Sequence, residues 1–200
     1  MTRSRQLEVD EFFAKAERSR ACLARVSGKN RQLICRRIAK GRVFAPLSGM
    51  YVRSEYWKSL SLEEMALHKA RALQRQHPDW IFCNTTAAVA HGLEISYESM
   101  RTIHVGTKRR GPSSSSHRTV RHVLGNDGHT DVAGIRATSL DDTIFDCLRS
   151  MDFERGLAAA DSYLRLTGRT RADLVELIDR HKGGYPGIRP ARIPAAWADG

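Results

Sequence analysis

Apolar and charged positions alternate at helical spacing over residues 7–26, with Leu7, Phe12, Phe13 and Ala16 followed by Ala21, Leu23, Ala24 and Val26. The pattern predicts one long helix or two short ones. Ser27-Gly28 turns the chain, and Asn30 is the expected N-cap of a helix over 30–40 that Gly41 stops. At about 100° per residue, Leu33, Ile34 and Ile38 share one face, while Gln32, Arg36 and Ala39 take the opposite one. Arg37 falls on the apolar side, from which its long stem is expected to reach out toward phosphate. Two strand-like runs, 43–45 and 50–53, flank Pro46-Leu47-Ser48-Gly49 and predict a β-hairpin. Gly49 supplies the positive φ of a tight turn there, and Pro46 is tolerated only on an edge strand. Residues 54–59, with Tyr56 and Trp57, read as a linker.

Further on, Ser61-Leu62-Glu63-Glu64 is a capping box, so a helix starts at Leu62 and Pro78 ends it. Residues 80–83 predict a short buried strand. Asn84 caps a short helix closed by Gly92, and 101–106 is the next strand. Residues 108–117 (KRRGPSSSSH) form a loop. Strands over 119–124 and 131–137 follow, separated by the turn Gly125-Asn126-Asp127-Gly128. Three helices close the pattern: one opening at Ser139 and Asp142, one at Asp152, one at Thr170 and Asp173. Their apolar faces are Ile144/Phe145/Leu148, Leu157/Ala160/Leu164 and Leu174/Leu177/Ile178. The Pro/Gly-rich residues 186–200 read as a linker or frayed end.

The expected class is α+β. A winged helix-turn-helix over 1–58 precedes an α/β domain over 59–185, with a small mixed sheet and C-terminal helices, and a tail over 186–200. Charge sharpens this division. Residues 1–58 hold 14 Lys/Arg against 5 Asp/Glu, residues 59–137 hold 10 against 7, and residues 138–200 hold 9 against 10. The positive excess therefore sits on the first third, as a polyanion's footprint would. No Lys-rich amphipathic helix with an aromatic apolar face is present to make that polyanion a membrane. Cys22, Cys35, Cys83 and Cys147 have no C-x-x-C spacing, so neither a zinc ribbon nor a disulfide framework is implied. With no apolar leader and no membrane-length run, a soluble cytoplasmic protein is expected.

Six of the fourteen residues from Lys29 to Arg42 are Lys or Arg and none is acidic. A merely solvated helix usually mixes signs at four-residue spacing, so the missing acids favour DNA binding over an inert charged face. Arg pairs with guanine and Asn or Gln with adenine. Lys29, Asn30, Gln32 and Arg36 are accordingly expected at base edges. Arg31, Arg37, Lys40 and Arg42, with Ser48 and Arg53 on the hairpin, are expected at phosphates. His91, His104, His117, His122 and His129 cluster in the middle segment without H-E-x-x-H spacing and are read as structural rather than metal-ligating. Asp161 lies on an apolar stripe and is expected to pair with an Arg or accept backbone N–H bonds. Asp141, Asp142 and Asp146 belong to a helix start. With no phosphate-binding glycine loop and no nucleophile elbow, no catalytic residue, metal or cofactor is assigned.

Several stretches together resemble the AbiEi-type antitoxin family: RRIAKGRVFAPLSGMYV, FCNTTAAVAHGLE, TIHVGT with its basic loop, GIRATSLDDTIFDCL and GLAAADSYLR, in the family's order over roughly residues 30–185. The resemblance implies a winged helix joined to an α/β domain. It implies a non-enzymatic autorepressor that binds repeats in its own promoter, usually beside a nucleotidyltransferase-like toxin gene. The partner expected is double-stranded DNA carrying inverted repeats, bound by a homodimer or cooperative pair. Many relatives continue into a restriction-endonuclease-like domain, so a DNA-targeting module of a nuclease-type protein is a second reading. Neutralisation of a toxin by direct contact is a third.

Overall fold

The computed structural model describes residues 3–107, 119–124, 128–181 and 187–200. The expected loop over 108–117, His117 with it, and most of the turn at 125–128 lie outside the described residues. The chain is α+β and divides into two compact units, Met1–Asp79 and Trp80–Gly200.

The first unit opens with α1 (Arg3–Arg18). Helical spacing predicts a continuation toward residue 26, but the chain leaves the helix through Arg20, whose φ is +46°. Leu23–Ala24 then forms strand β1, paired antiparallel as Leu23↔Tyr51 and Ala24↔Met50. A pairing with residues far along the chain has overridden the local pattern. Helix α2 spans Gly28–Ala39 with Ser27, not Asn30, in the N-cap position. Strands β2 (Val43–Phe44) and β3 (Met50–Arg53) make the hairpin, in register Val43↔Arg53 and Phe44↔Val52, with Gly49 at φ +73°. The sheet order is β1-β3-β2. The helix-then-hairpin outline is thus present. A helix-turn-helix, however, needs a turn of about three or four residues between its helices, whereas residues 19–27, with β1 among them, separate α1 from α2.

Val9, Phe13, Leu33, Ile34, Val43 and Tyr51 form the core under α2, each large side chain contributing about 1.5–3 kcal/mol on burial. Ile38 is 36% exposed rather than buried. The reason is geometric: Arg37, four residues after Leu33 and three after Ile34, takes the centre of the inward face. The expected linker at 54–59 is instead a short helix, α3 (Ser54–Lys58). Its Tyr56 hydroxyl donates to Nε2 of His68, whose Nδ1–H is satisfied by the Glu64 carbonyl (2.8 and 2.6 Å). That His lies on α4 (Leu62–Gln76), which begins with the expected Ser61/Glu64 capping box. The sequence division at 58/59 assigned α4 to the second domain. It belongs to the first unit, because Ala72 packs with Ala21, Cys22, Met50 and Val52, and the Cys22 amide donates to the His68 carbonyl.

The second unit carries a mixed five-stranded sheet, β6-β5-β4-β8-β7: β4 (Ile81–Phe82), β5 (Ile103–Thr107), β6 (Thr119–Val123), β7 (Thr130–Val132) and β8 (Ile135–Ala137). β4 pairs antiparallel with β5 and parallel with β8, and β5 pairs parallel with β6. Where the pattern predicts one strand over 131–137, β7 and β8 fold back on each other. Ala133 and Gly134 both have left-handed φ (+50° and +79°), the signature of a primed two-residue turn. Helix α5 (Asn84–His91) is almost wholly buried, and Gly92 ends it at φ +85°.

Three further helices carry the predicted caps. Ser139 accepts from the Asp142 amide at α6 (Leu140–Ser150), Asp152 from Arg155 at α7 (Phe153–Thr167), and Thr170 from Asp173 at α8 (Arg171–Arg180). The tail is not frayed: Ile188–Trp197 is a helix, α9, with Ala191, Pro194 and Ala195 buried. Small side chains allow this close approach. Gly156 on α7 leaves room for the proline ring, since a Cβ at that position would stand 3.1 Å from Cγ of Pro194. Asp161 takes the second of its two expected roles, accepting the Asp199 amide at 2.8 Å.

Candidate nucleic-acid interface

The basic residues around α2 divide into an outward and an inward set, and the division follows the helix phase. Leu33 and Ile34 point into the core, so Asn30 and Arg37, which share their side, face α1. Asn30 Nδ2 donates to Glu8 Oε1 at 3.3 Å. Arg37, with 18% of its side chain exposed, sits 2.5 Å from Asp10 Oδ1. Asn30, expected at a base edge, and Arg37, expected at phosphate, thus both have partners on α1. Arg53 behaves alike. Its Nε lies 3.0 Å from Glu17 Oε1, and its guanidinium carbon is 6.0 Å from the centroid of the Phe13 ring. Burial raises the Glu17 carboxyl above its usual range, with Arg53 pulling the other way.

Lys29, Arg31, Gln32, Arg36, Lys40 and Arg42 are exposed, and Ser48 is exposed at the hairpin tip. Among the described residues, the side chains of Lys29, Arg31, Lys40 and Arg42 make no hydrogen bond or ion pair. Three of the four acids of α1 are ion-paired, Glu11 with Arg18, and Asp10 and Glu17 with Arg37 and Arg53, while Glu8 accepts from Asn30. Lys29, Arg31, Lys40 and Arg42 thus give this surface a net positive field.

Two residues on this surface were not singled out from sequence. Cys35 is exposed on the outer side of α2 between Arg31 and Arg36; the helical phase already places it there. Phe44 on β2 is exposed and has its ring 6.1 Å from that of Trp57. Nothing local signals this, because the strand's length and register decide which way Phe44 faces. No family model matches the chain, and no curated protein matches it.

Three histidines of the second unit, His91, His104 and His122, have protein partners. His104 Nδ1 and His122 Nε2 are 2.8 Å apart with stacked rings, and His91 Nε2–H donates to the Thr138 carbonyl at 2.8 Å. Among the described residues no three His, Cys, Asp or Glu side chains are grouped as metal ligands would be. Asp141 and Asp142 lie in the first turn of α6 as expected, whereas Asp146 lies in its second half; all three have structural partners. Asp142 accepts from Ser139, Asp146 from Arg149 at 2.8 Å, and Asp141 from Tyr163 and Arg169, both at 2.8 Å. Among the described residues no helix is long and apolar enough to cross a membrane.

Burial first, then the neighbouring His122, pushes His104 down to about 4, and burial also lowers His68 and His122. These rings stay neutral in the fold yet protonate readily when unfolded. Their stabilisation is therefore complete above about pH 6.5, the free-imidazole value, and is lost as pH falls toward the folded value. His104 alone contributes a loss of about 2 kcal/mol between pH 7.5 and 5. Urea denaturation at the two pH values checks this, with His104→Gln flattening the dependence. A midpoint unaffected by pH contradicts the assignment.

Proposed function

We propose that the chain is a DNA-binding transcriptional regulator of the AbiEi antitoxin kind, in which α2 and the β2–β3 hairpin serve as a winged helix. The observation that carries this reading is the surface of α2 and the turn after it, where exposed Lys29, Arg31, Lys40 and Arg42 have no carboxylate paired with them while the inward Arg37 and Arg53 do. A surface helix needs no such segregation for solubility, whereas a helix laid along a phosphate-lined groove does. In this reading Lys29, Gln32 and Arg36 meet base edges. Arg31, Lys40, Arg42 and Ser48 meet phosphates, fixing register without reading sequence. The protein acts in the cytoplasm by binding, as a pair on inverted repeats of its own promoter, beside a nucleotidyltransferase-like toxin gene.

A mobility shift on the upstream promoter tests the proposal. Arg36→Ala is expected to relax sequence preference, costing about 1–3 kcal/mol on the preferred site and little elsewhere, and Lys40→Ala to weaken all duplexes alike. Equal losses for both variants on every duplex would reject these roles, and no shift with the unaltered chain would reject the function.

A further inference from the structure

Within the unit Met1–Asp79, a cleft of about 210 Å³ opens between α1, β1 and the C-terminal part of α4. Its lining is apolar where it is buried, at Ala16, Cys22 and Ala72, with half-buried Phe12 and Leu23 beside them. Where it is exposed it is cationic, at Lys15, Arg25 and Arg75, and no carboxylate lines it. The two arginines are steered by uncharged oxygens. Arg25 Nη2 donates to the Gln76 carbonyl at 2.8 Å and Arg75 Nη1 to Ser19 Oγ at 3.0 Å, so both positive charges remain uncompensated. Lys15 makes no side-chain hydrogen bond or ion pair among the described residues.

The cleft is preformed. Arg25 holds φ +56°, a left-handed conformation uncommon for a residue with a Cβ. The segment before it is tied to α4 by the Cys22 amide on the His68 carbonyl and by Arg71 Nη1 on the Arg20 carbonyl, both at 3.1 Å. Burial pushes the Cys22 thiol up to about 12, so the lining carries no negative charge of its own at neutral pH.

We propose that this cleft binds a small amphipathic organic anion, a single apolar ring or short chain carrying one carboxylate. Size and chemistry converge on that class. A cavity of about 150 Å³ holds one benzene ring, so this space takes a ring and its acid group and is too small to enclose a nucleotide. A neutral ring would leave three cations at the mouth unanswered, and a purely polar anion would leave the apolar lining wet. None of the lining residues is among those assigned to the duplex, so the site stands or falls independently of DNA binding.

The test is a titration of the full chain with sodium benzoate and, separately, with benzyl alcohol of similar size and no charge. Both are followed through the methyl resonances of Leu23, Ala24 and Ala72. Expected are saturable shifts confined to the cleft at about millimolar benzoate, with benzyl alcohol at least about tenfold weaker. In the double variant Lys15→Gln/Arg75→Gln, both positions being exposed, benzoate should fall to the level of benzyl alcohol. Shifts that stay linear with concentration, that scatter over the surface, or that are equal for the two compounds overturn the proposal.

Discussion

Raising salt from about 50 to about 200 mM is expected to weaken the binding of one copy of the chain to a duplex by about two orders of magnitude. The estimate follows from which cations remain available. Arg37 and Arg53 are paired with Asp10 and Glu17 and do not add to the phosphate contacts. Arg31, Lys40 and Arg42 at phosphates, with Lys29 at the groove edge displacing counterions as well, then neutralise about four phosphates per copy, for a slope of log K against log salt near −4. Two copies on an inverted repeat double the slope to about −8 and square the loss. Fluorescence anisotropy over a salt series reads this directly and reports stoichiometry as well. A slope shallower than about −2 would mean that the surface does not lie along phosphates.

Phe13→Ala is expected to be the most damaging single truncation of the first unit, costing about 3–5 kcal/mol. The ring is 1% exposed and packs among Val9, Leu33, Ile34, Val43 and Tyr51, so its removal opens a cavity under α2 and the hairpin together. It also takes away the face over which the Arg53 guanidinium lies. Urea denaturation checks the loss, and Phe13→Leu should recover most of it. An unchanged midpoint for Phe13→Ala would mean that α2 is supported from elsewhere.

What was legible in the sequence is what short range decides. The caps Ser61/Glu64, Ser139/Asp142, Asp152 and Thr170/Asp173 form, because their side chains meet amides within four residues, whereas the expected caps Asn30 and Asn84 give way to Ser27 and Cys83. The strand at 50–53 and the left-handed Gly49 were legible for the same reason. Strand β1 was not, because its partners lie at Met50 and Tyr51. Helix α9 was hidden by composition: Pro and Gly suggest a loose tail, and only its neighbours supply the surface against which Ala191 and Ala195 are buried. The same limit applies to the candidate site. Sequence identified the cations, but the acids that withdraw Arg37 and Arg53 from it sit on α1, far away in the chain.

The strapping of α2 to α1 by Asn30–Glu8 and Arg37–Asp10 separates what holds the helix in place from what it presents. The residues that anchor the helix and those that face outward occupy opposite sides of it, so the outward set is replaceable without disturbing the anchor. Substitutions within the outward set are therefore expected to leave the folding stability of the first unit nearly unchanged.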